Sequence, residues 1–145
     1  MSKTYRALVV EKLGSGKAAT TTVKVQERSI PNLKESEVEI KTEYSSVNYK
    51  DALATTPTAG FIKKWPHIPG IDVAGTISKS RNDNFKEGDE VIGTGFGIGA
   101  EINGGYCEKV VVPGEWILKC PKSLKLKDAM RFGTAGFTAA LAIRR

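Results

Sequence analysis

The chain reads as a mainly β protein, a partly open β-barrel with short helices that ends in helical sequence. Three observations predict this. Apolar and polar residues alternate with period two through the first four-fifths; turn-forming glycine, proline and asparagine clusters interrupt the alternation; and from Ser123 onward the apolar spacing lengthens to that of a helix.

The runs Arg6–Val10 and Thr21–Val25 supply the first two expected strands. The third is the clearest. Val38, Ile40, Thr42 and Tyr44 fall on one face and Glu37, Glu39, Lys41 and Glu43 on the other, the pattern of a half-buried strand. Asp72–Ser78 and Cys107–Val112 continue the series, with shorter strands at Glu90–Ile92 and Trp116–Leu118. Turns are expected at Ile30-Pro31-Asn32, Asn82-Asp83-Asn84, Glu87-Gly88-Asp89, Asn103-Gly104-Gly105 and Pro113-Gly114. Asn48 is placed to cap a short helix over Tyr49–Ala54, with Asp51 at its third position in a box-like arrangement. Leu124, Leu126, Ala129 and Met130 then mark a helix that Gly133 interrupts. A second helix, carrying Ala135, Phe137, Ala139, Ala140, Leu141 and Ile143, runs into Arg144-Arg145 with no capping residue. An uncapped apolar helix at that point leads us to expect a fragment of a larger architecture.

A chain of 145 residues fits one domain, which at this size buries roughly 70% of its unfolded surface and needs no disulfide staples. Hydrophobic content of 40% and charged content of 26% are ordinary for a globular protein. No apolar run approaches the ~20 residues of a membrane span, and Met1-Ser2-Lys3-Thr4-Tyr5 leads into a strand pattern without an apolar leader, so no membrane partner and a cytoplasmic location are expected. Cys107 and Cys120 are too few and too far apart for a zinc ribbon or a redox pair and read as structural thiols. The net charge of +6 comes from scattered lysines, not from one basic block. Nucleic acid is therefore not an expected partner. Solvated surface charge, or attraction for a phosphate-bearing cofactor or coenzyme A ester, accounts for the excess.

Five segments in order carry a resemblance: Ser45-Ser46-Val47-Asn48-Tyr49-Lys50-Asp51, Pro69-Gly70-Ile71-Asp72-Val73-Ala74-Gly75, Gly88-Asp89-Glu90-Val91-Ile92, Gly104-Gly105-Tyr106-Cys107-Glu108 and Gly133-Thr134-Ala135-Gly136-Phe137-Thr138-Ala139-Ala140-Leu141. Their order and spacing resemble the N-terminal, GroES-like domain of the medium-chain dehydrogenase/reductase superfamily. Asn-Tyr-Lys-Asp with Gly-Thr-Ala-Gly-Phe-Thr-Ala-Ala-Leu is similar specifically to its zinc-free YhdH/YhfP group of quinone oxidoreductases and acrylyl-CoA reductases. The resemblance implies a GroES-like catalytic domain over residues 1–122, and residues 123–145 as the start of a helical connection to a Rossmann domain. It further implies NADPH as cofactor, a small-molecule substrate that is an enoyl-CoA ester or a quinone, and a homodimer formed through the Rossmann half.

Where zinc alcohol dehydrogenases carry a ligand Cys, this chain has Asn48; their Gly-His-Glu motif corresponds to Gly70-Ile71-Asp72, and their third-ligand Cys to Thr134. An amide, an isoleucine and a hydroxyl do not make a catalytic zinc site, which needs deprotonated Cys, His or carboxylate donors. No metal is expected. Without a Lewis acid, hydride transfer suits a substrate that delocalises charge, such as an enoyl thioester or a quinone. The opposing expectation is a non-enzymatic GroES-like binding or assembly module.

The resemblance makes Tyr49, Asn48 and Asp72 the candidate catalytic residues, and Tyr49, Thr134 and Thr138 the candidate cofactor contacts. Each has a plainer alternative. Tyr49 contacts the nicotinamide end of NADPH or is a first-turn aromatic packed on the barrel. Asn48 projects its amide into the emptied metal position or caps the helix. Asp72 lies in a strand expected to be buried and so needs a partner, with Lys50 or an arginine as the candidates. Thr134 and Thr138 share a helix face toward the cofactor, or serve capping and packing. Asp51 reads as structural, complementing a helix dipole. Lys50 and the pair Lys63-Lys64 face a phosphate or water. His67, the single histidine, sits in a proline-bracketed loop and reads as a satisfied or exposed side chain rather than a base. Gly93, Gly95, Gly97 and Gly99 imitate a nucleotide-binding loop, but another turn follows them instead of a helix, so a barrel loop is expected.

Overall fold

A computed structural model describes residues 4–144. Met1–Lys3 of the expected lead into the first strand, and Arg145 at the end of the last helix, lie outside the described residues. Two antiparallel strands, β1 (Thr4–Leu13) and β2 (Thr20–Ser29), form a ribbon in unbroken register from Thr4 opposite Ser29 to Leu13 opposite Thr20. A five-stranded antiparallel sheet contains β3 (Glu37–Tyr44), β4 (Asp72–Ser80), β5 (Glu90–Thr94), β6 (Lys109–Pro113) and β7 (Ile117–Lys119), in the spatial order β6-β3-β4-β5-β7. The two sheets do not merge into a closed cylinder. Single bridges instead tie β1 to segments outside the five-stranded sheet, from Ala7 to Cys107 and from Val10 to His67. The mainly β, partly open architecture is thus the observed one.

The strands form where the alternation places them, although most run further than expected; β2 extends past Val25 to Ser29. Pairing with a long neighbour extends a strand beyond its own apolar pattern, because each added residue completes main-chain hydrogen bonds on β1. The opposite happens at Cys107. It makes only a bridge to Ala7, and β6 begins at Lys109. Inside the five-stranded sheet Val38, Ile40, Val73, Ile77, Val91 and Val112 form the centre of the core. Truncating such a fully buried residue, Ile40→Ala for example, removes about 2–5 kcal/mol of stability.

One strand departs from its expected facing. Glu39 was placed by alternation on the polar side of β3, yet it is wholly buried between Val38 and Ile40. A register shift against β4 falls between Glu39 and Ile40. Ser78 and Lys109 then close over the carboxylate, with Ser78 Oγ at 2.7 Å and Lys109 Nζ at 2.8 Å from Oε1. Burial alone would push the Glu39 pKa up; the bonds from Lys109 and Ser78 outweigh it and hold it below the ordinary carboxylate range.

Helix α1 (Tyr49–Ala54) has the expected bounds, and helix α2 (Leu126–Ile143) begins three residues after Ser123. Leu126, Ala129 and Met130 pack its first half against Ala74 of β4. Gly133 breaks it where the sequence indicates, at φ 49° and ψ −157°. The break sends the second half off beside the start of β4, and this positions the site.

Candidate active site

The site is assembled from the N-cap of α1, the first residue of β4 and the break in α2. Asn48, extended at φ −123° and ψ 155°, leads into α1. Its main-chain N–H donates to Asp51 Oδ2 at 2.9 Å. The other oxygen of Asp51 accepts the N–H groups of Gly70 at 3.0 Å and Ile71 at 2.9 Å. Tyr106 adds its hydroxyl, at 3.2 Å from Asp51 Oδ2 and 3.0 Å from the Ser46 carbonyl. Asp51 therefore does more than complement a helix dipole: it ties α1 to the turn that starts β4. The Tyr106 phenol is pushed well above its usual range, first by burial and then by the nearby charges of Asp51 and Asp72.

Asp72 is completely buried, and its carboxylate is surrounded by neutral donors. Thr134 donates its hydroxyl to Oδ1 at 2.5 Å and its main-chain N–H to Oδ2 at 3.0 Å. Asn48 Nδ2 donates to Oδ2 at 2.9 Å, and Ser46 Oγ bonds the same oxygen. The expected basic partner is not what compensates Asp72. Lys50 lies instead over the ring of Phe61, 5.3 Å from its centroid. The physical reason is local: the chain offers the carboxylate four donors and the start of a helical turn after Gly133, which together replace its lost hydration.

Glycine is required at 133 on two grounds. Its positive φ disfavours a side chain, and an added Cβ would lie 2.5 Å from Asp72 Oδ2.

The structure brings Asn48, Asp72 and Thr134 into one bonded cluster. It leaves Tyr49 and Thr138 outside it. Tyr49 is 81% exposed, so the expectation of a ring packed on the barrel fails. Its place in the first turn points the ring away from the buried face, which carries Asp51 and Ala54. Thr138 is exposed, one turn beyond Thr134, and donates to the Thr134 carbonyl at 2.8 Å. Asn48 spends its nitrogen on Ser46 Oγ and Asp72, so a cap role and a ligand contact both fall to its one side-chain oxygen.

Ser46 and Tyr106 are the members that sequence reasoning passed over. Both lie inside the recognised segments; their signal was a hydroxyl flanking a residue already singled out. Phe96 has an unusual backbone conformation. It follows Gly95, whose N–H bonds the Ile71 carbonyl at 3.0 Å, and it has a positive φ of 50°. Its exposed ring stacks on Trp116 at 6.0 Å. The glycine-rich stretch around it forms the expected barrel loop.

His67 is buried, with Nε2 2.9 Å from the Gly99 carbonyl, and burial pushes its pKa down. It is a satisfied side chain. Cys107 is likewise quiet, its thiol pushed up to about 12 by burial. A cleft of about 370 Å³ runs past His67, Tyr5, Lys34 and Lys64, but Asn48, Asp72 and Thr134 do not line it. Among the described residues no three His, Cys, Asp or Glu side chains gather in a metal-binding group. No described helix is long and apolar enough to cross a membrane.

Comparison with known proteins adds the family context. The family model for the alcohol dehydrogenase GroES-like domain matches residues 34–122. The chain is 42% identical over 139 residues to acrylyl-CoA reductase AcuI of Ruegeria pomeroyi, a match spanning 96% of this chain and 42% of that protein. Among solved structures it superposes on Bacillus subtilis protein YhfP with NAD bound at a TM-score of 0.88 and 43% identity, over 99% of this chain and 43% of that one. The YhdH oxidoreductase of Salmonella enterica in complex with NADP gives a TM-score of 0.85 at 40% identity, over 96% and 42%. The chain thus spans about two-fifths of the length of these relatives.

Proposed function

We propose a function for a chain that belongs to the alcohol dehydrogenase GroES-like domain family: it supplies the substrate-side domain of a zinc-independent, NADPH-dependent reductase acting on an activated C=C bond or a quinone. In this reading residues 1–122 form the catalytic domain, and residues 123–145 begin the connection to a nucleotide-binding domain. The observation that carries it is the bonded cluster of Asn48, Asp72 and Thr134 beside the exposed Tyr49.

NADPH, when bound, supplies a hydride. The residues suit its nicotinamide end. Thr134 spends its hydroxyl hydrogen on Asp72, so it can turn only acceptor lone pairs outward; Asn48 spends its amide hydrogens on Ser46 and Asp72 and keeps its oxygen as an acceptor. Two oriented acceptors match a carboxamide N–H. Asp72, buried behind them, is a positioning residue that fixes both side chains. Tyr49 offers a solvent-facing phenol that can donate a hydrogen bond to a substrate carbonyl.

The donor set at the positions of a zinc site, Asn48, Ile71 and Thr134, does not fit the metal. A substrate that spreads the arriving negative charge is therefore favoured. An enoyl thioester takes hydride at its β-carbon, passes through an enolate, and collects a proton at its α-carbon. The names of the relatives, an acrylyl-CoA reductase and an NADP-bound oxidoreductase, support this class. A cytoplasmic location and a homodimer formed through the nucleotide-binding half belong to the same proposal.

The test is NADPH oxidation by the full gene product with acrylyl-CoA beside a quinone, before and after chelation. Turnover that survives chelation supports the reading. Stoichiometric, tightly bound zinc, or the absence of nucleotide binding, overturns it.

A further inference from the structure

Two carboxylates are buried around the Ser45–Asn48 loop, and among the described residues neither is bonded to a lysine, arginine or histidine. Asp72 is held by Ser46, Asn48 and Thr134, and Asp51 by the main-chain N–H groups of Asn48, Gly70 and Ile71 and by Tyr106. The contrast with Glu39 is direct, because that buried carboxylate has Lys109 at 2.8 Å. Neutral donors replace lost hydration but leave the formal charge in place. The charge is felt nearby, since both carboxylates raise the pKa of the Tyr106 phenol. In a chain of net charge +6, the candidate site is locally anionic.

We infer that the buried Asp72 charge, acting one hydroxyl away through Thr134 and reinforced by Asp51, makes the site prefer the oxidised, positively charged nicotinamide to the reduced, neutral ring. This rests on the reading above that Thr134 and Asn48 meet the nicotinamide. A positive charge develops on the ring as hydride leaves, so a fixed anion behind it stabilises the state after transfer relative to the state before. The charge thereby biases the site toward giving hydride to the substrate. It also explains a feature that simple positioning does not: an asparagine at 72 could hold the same neighbours without burying a charge.

That substitution is the test. In Asp72→Asn the remaining oxygen still accepts from Ser46, Asn48 and the Thr134 N–H, while the new amide nitrogen donates to Thr134 Oγ1, whose hydroxyl turns to accept. The charge goes and the bonding pattern stays. Dissociation constants for NADP+ and NADPH are measured on the full gene product by calorimetry. The expected result is a relative loss of NADP+ affinity of about tenfold against NADPH, corresponding to about 1.4 kcal/mol. Removal of an exposed charge by Asp83→Asn should leave the ratio unchanged.

Equal changes in both constants, or none, would make Asp72 merely structural and overturn the inference. If Asp72→Asn does not fold, Asp72→Ser removes the same charge with less bulk, and the ratio is read on its folded fraction. Failure of the wild-type protein to bind either nucleotide would overturn the proposed function, and this inference with it.

Discussion

The carboxylate of Asp72 accepts both the hydroxyl and the main-chain N–H of Thr134, a residue 62 positions further along the chain. This pair joins the start of β4 to the break in α2. It makes the conformation of Gly133 and the geometry of the site a single problem.

Substituting Gly133 by alanine should therefore damage both at once. The new Cβ would meet Asp72 Oδ2 at 2.5 Å in a backbone conformation that favours glycine. Strain and overpacking together should cost about 3 kcal/mol, read as a lower urea midpoint, with a parallel loss of turnover in the full gene product.

Asp51→Ala should destabilise strongly without touching the exposed surface. It strips the acceptor from the N–H groups of Asn48, Gly70 and Ile71 and from Tyr106. Leaving several buried donors unpaired should cost about 4 kcal/mol in denaturant unfolding. A loss below about 1 kcal/mol would mean that water reaches these groups.

Tyr106→Phe tests the same anchor more gently, at about 1 kcal/mol for its lost hydrogen bonds. The Tyr106 phenol is held protonated above the usual 10.0 by burial and by the charges of Asp51 and Asp72. Ultraviolet titration of the wild type should show two late-ionising tyrosines, Tyr5 and Tyr106, of which one disappears in the variant.

Glu39 gives a pH dependence with a definite sign. Its folded pKa lies below the ordinary value of 4.5, so its contribution is complete above that value and is lost as pH falls through the lower folded pKa. Urea midpoints of the wild type should drop in this acid window. Glu39→Gln, which cannot titrate, should flatten the drop.

Tyr49→Ala separates function from folding. The ring is exposed, so stability should change by no more than about 0.5 kcal/mol. Substrate turnover by the full gene product should fall if the phenol meets substrate or nicotinamide. Unchanged kinetics would remove Tyr49 from the site.

The alternation of Val38, Ile40, Thr42 and Tyr44, the spacing of turns and the break at Gly133 were enough to determine the strand-rich class, the exact bounds of α1 and the interruption of α2. These features depend on local propensity and period, which the sequence carries in full. The cluster of Asn48, Asp72 and Thr134 was legible as a set of candidates because each lies in a recognisable segment. Only the tertiary structure decided who bonds to whom. Asp72 takes neutral donors where a cation was expected, Glu39 turns inward at a register shift, and Tyr49 faces solvent instead of the barrel. The reason is physical: the partner of a buried charge is chosen by which groups the fold brings within about 3 Å, and that proximity depends on pairings between segments far apart in the chain.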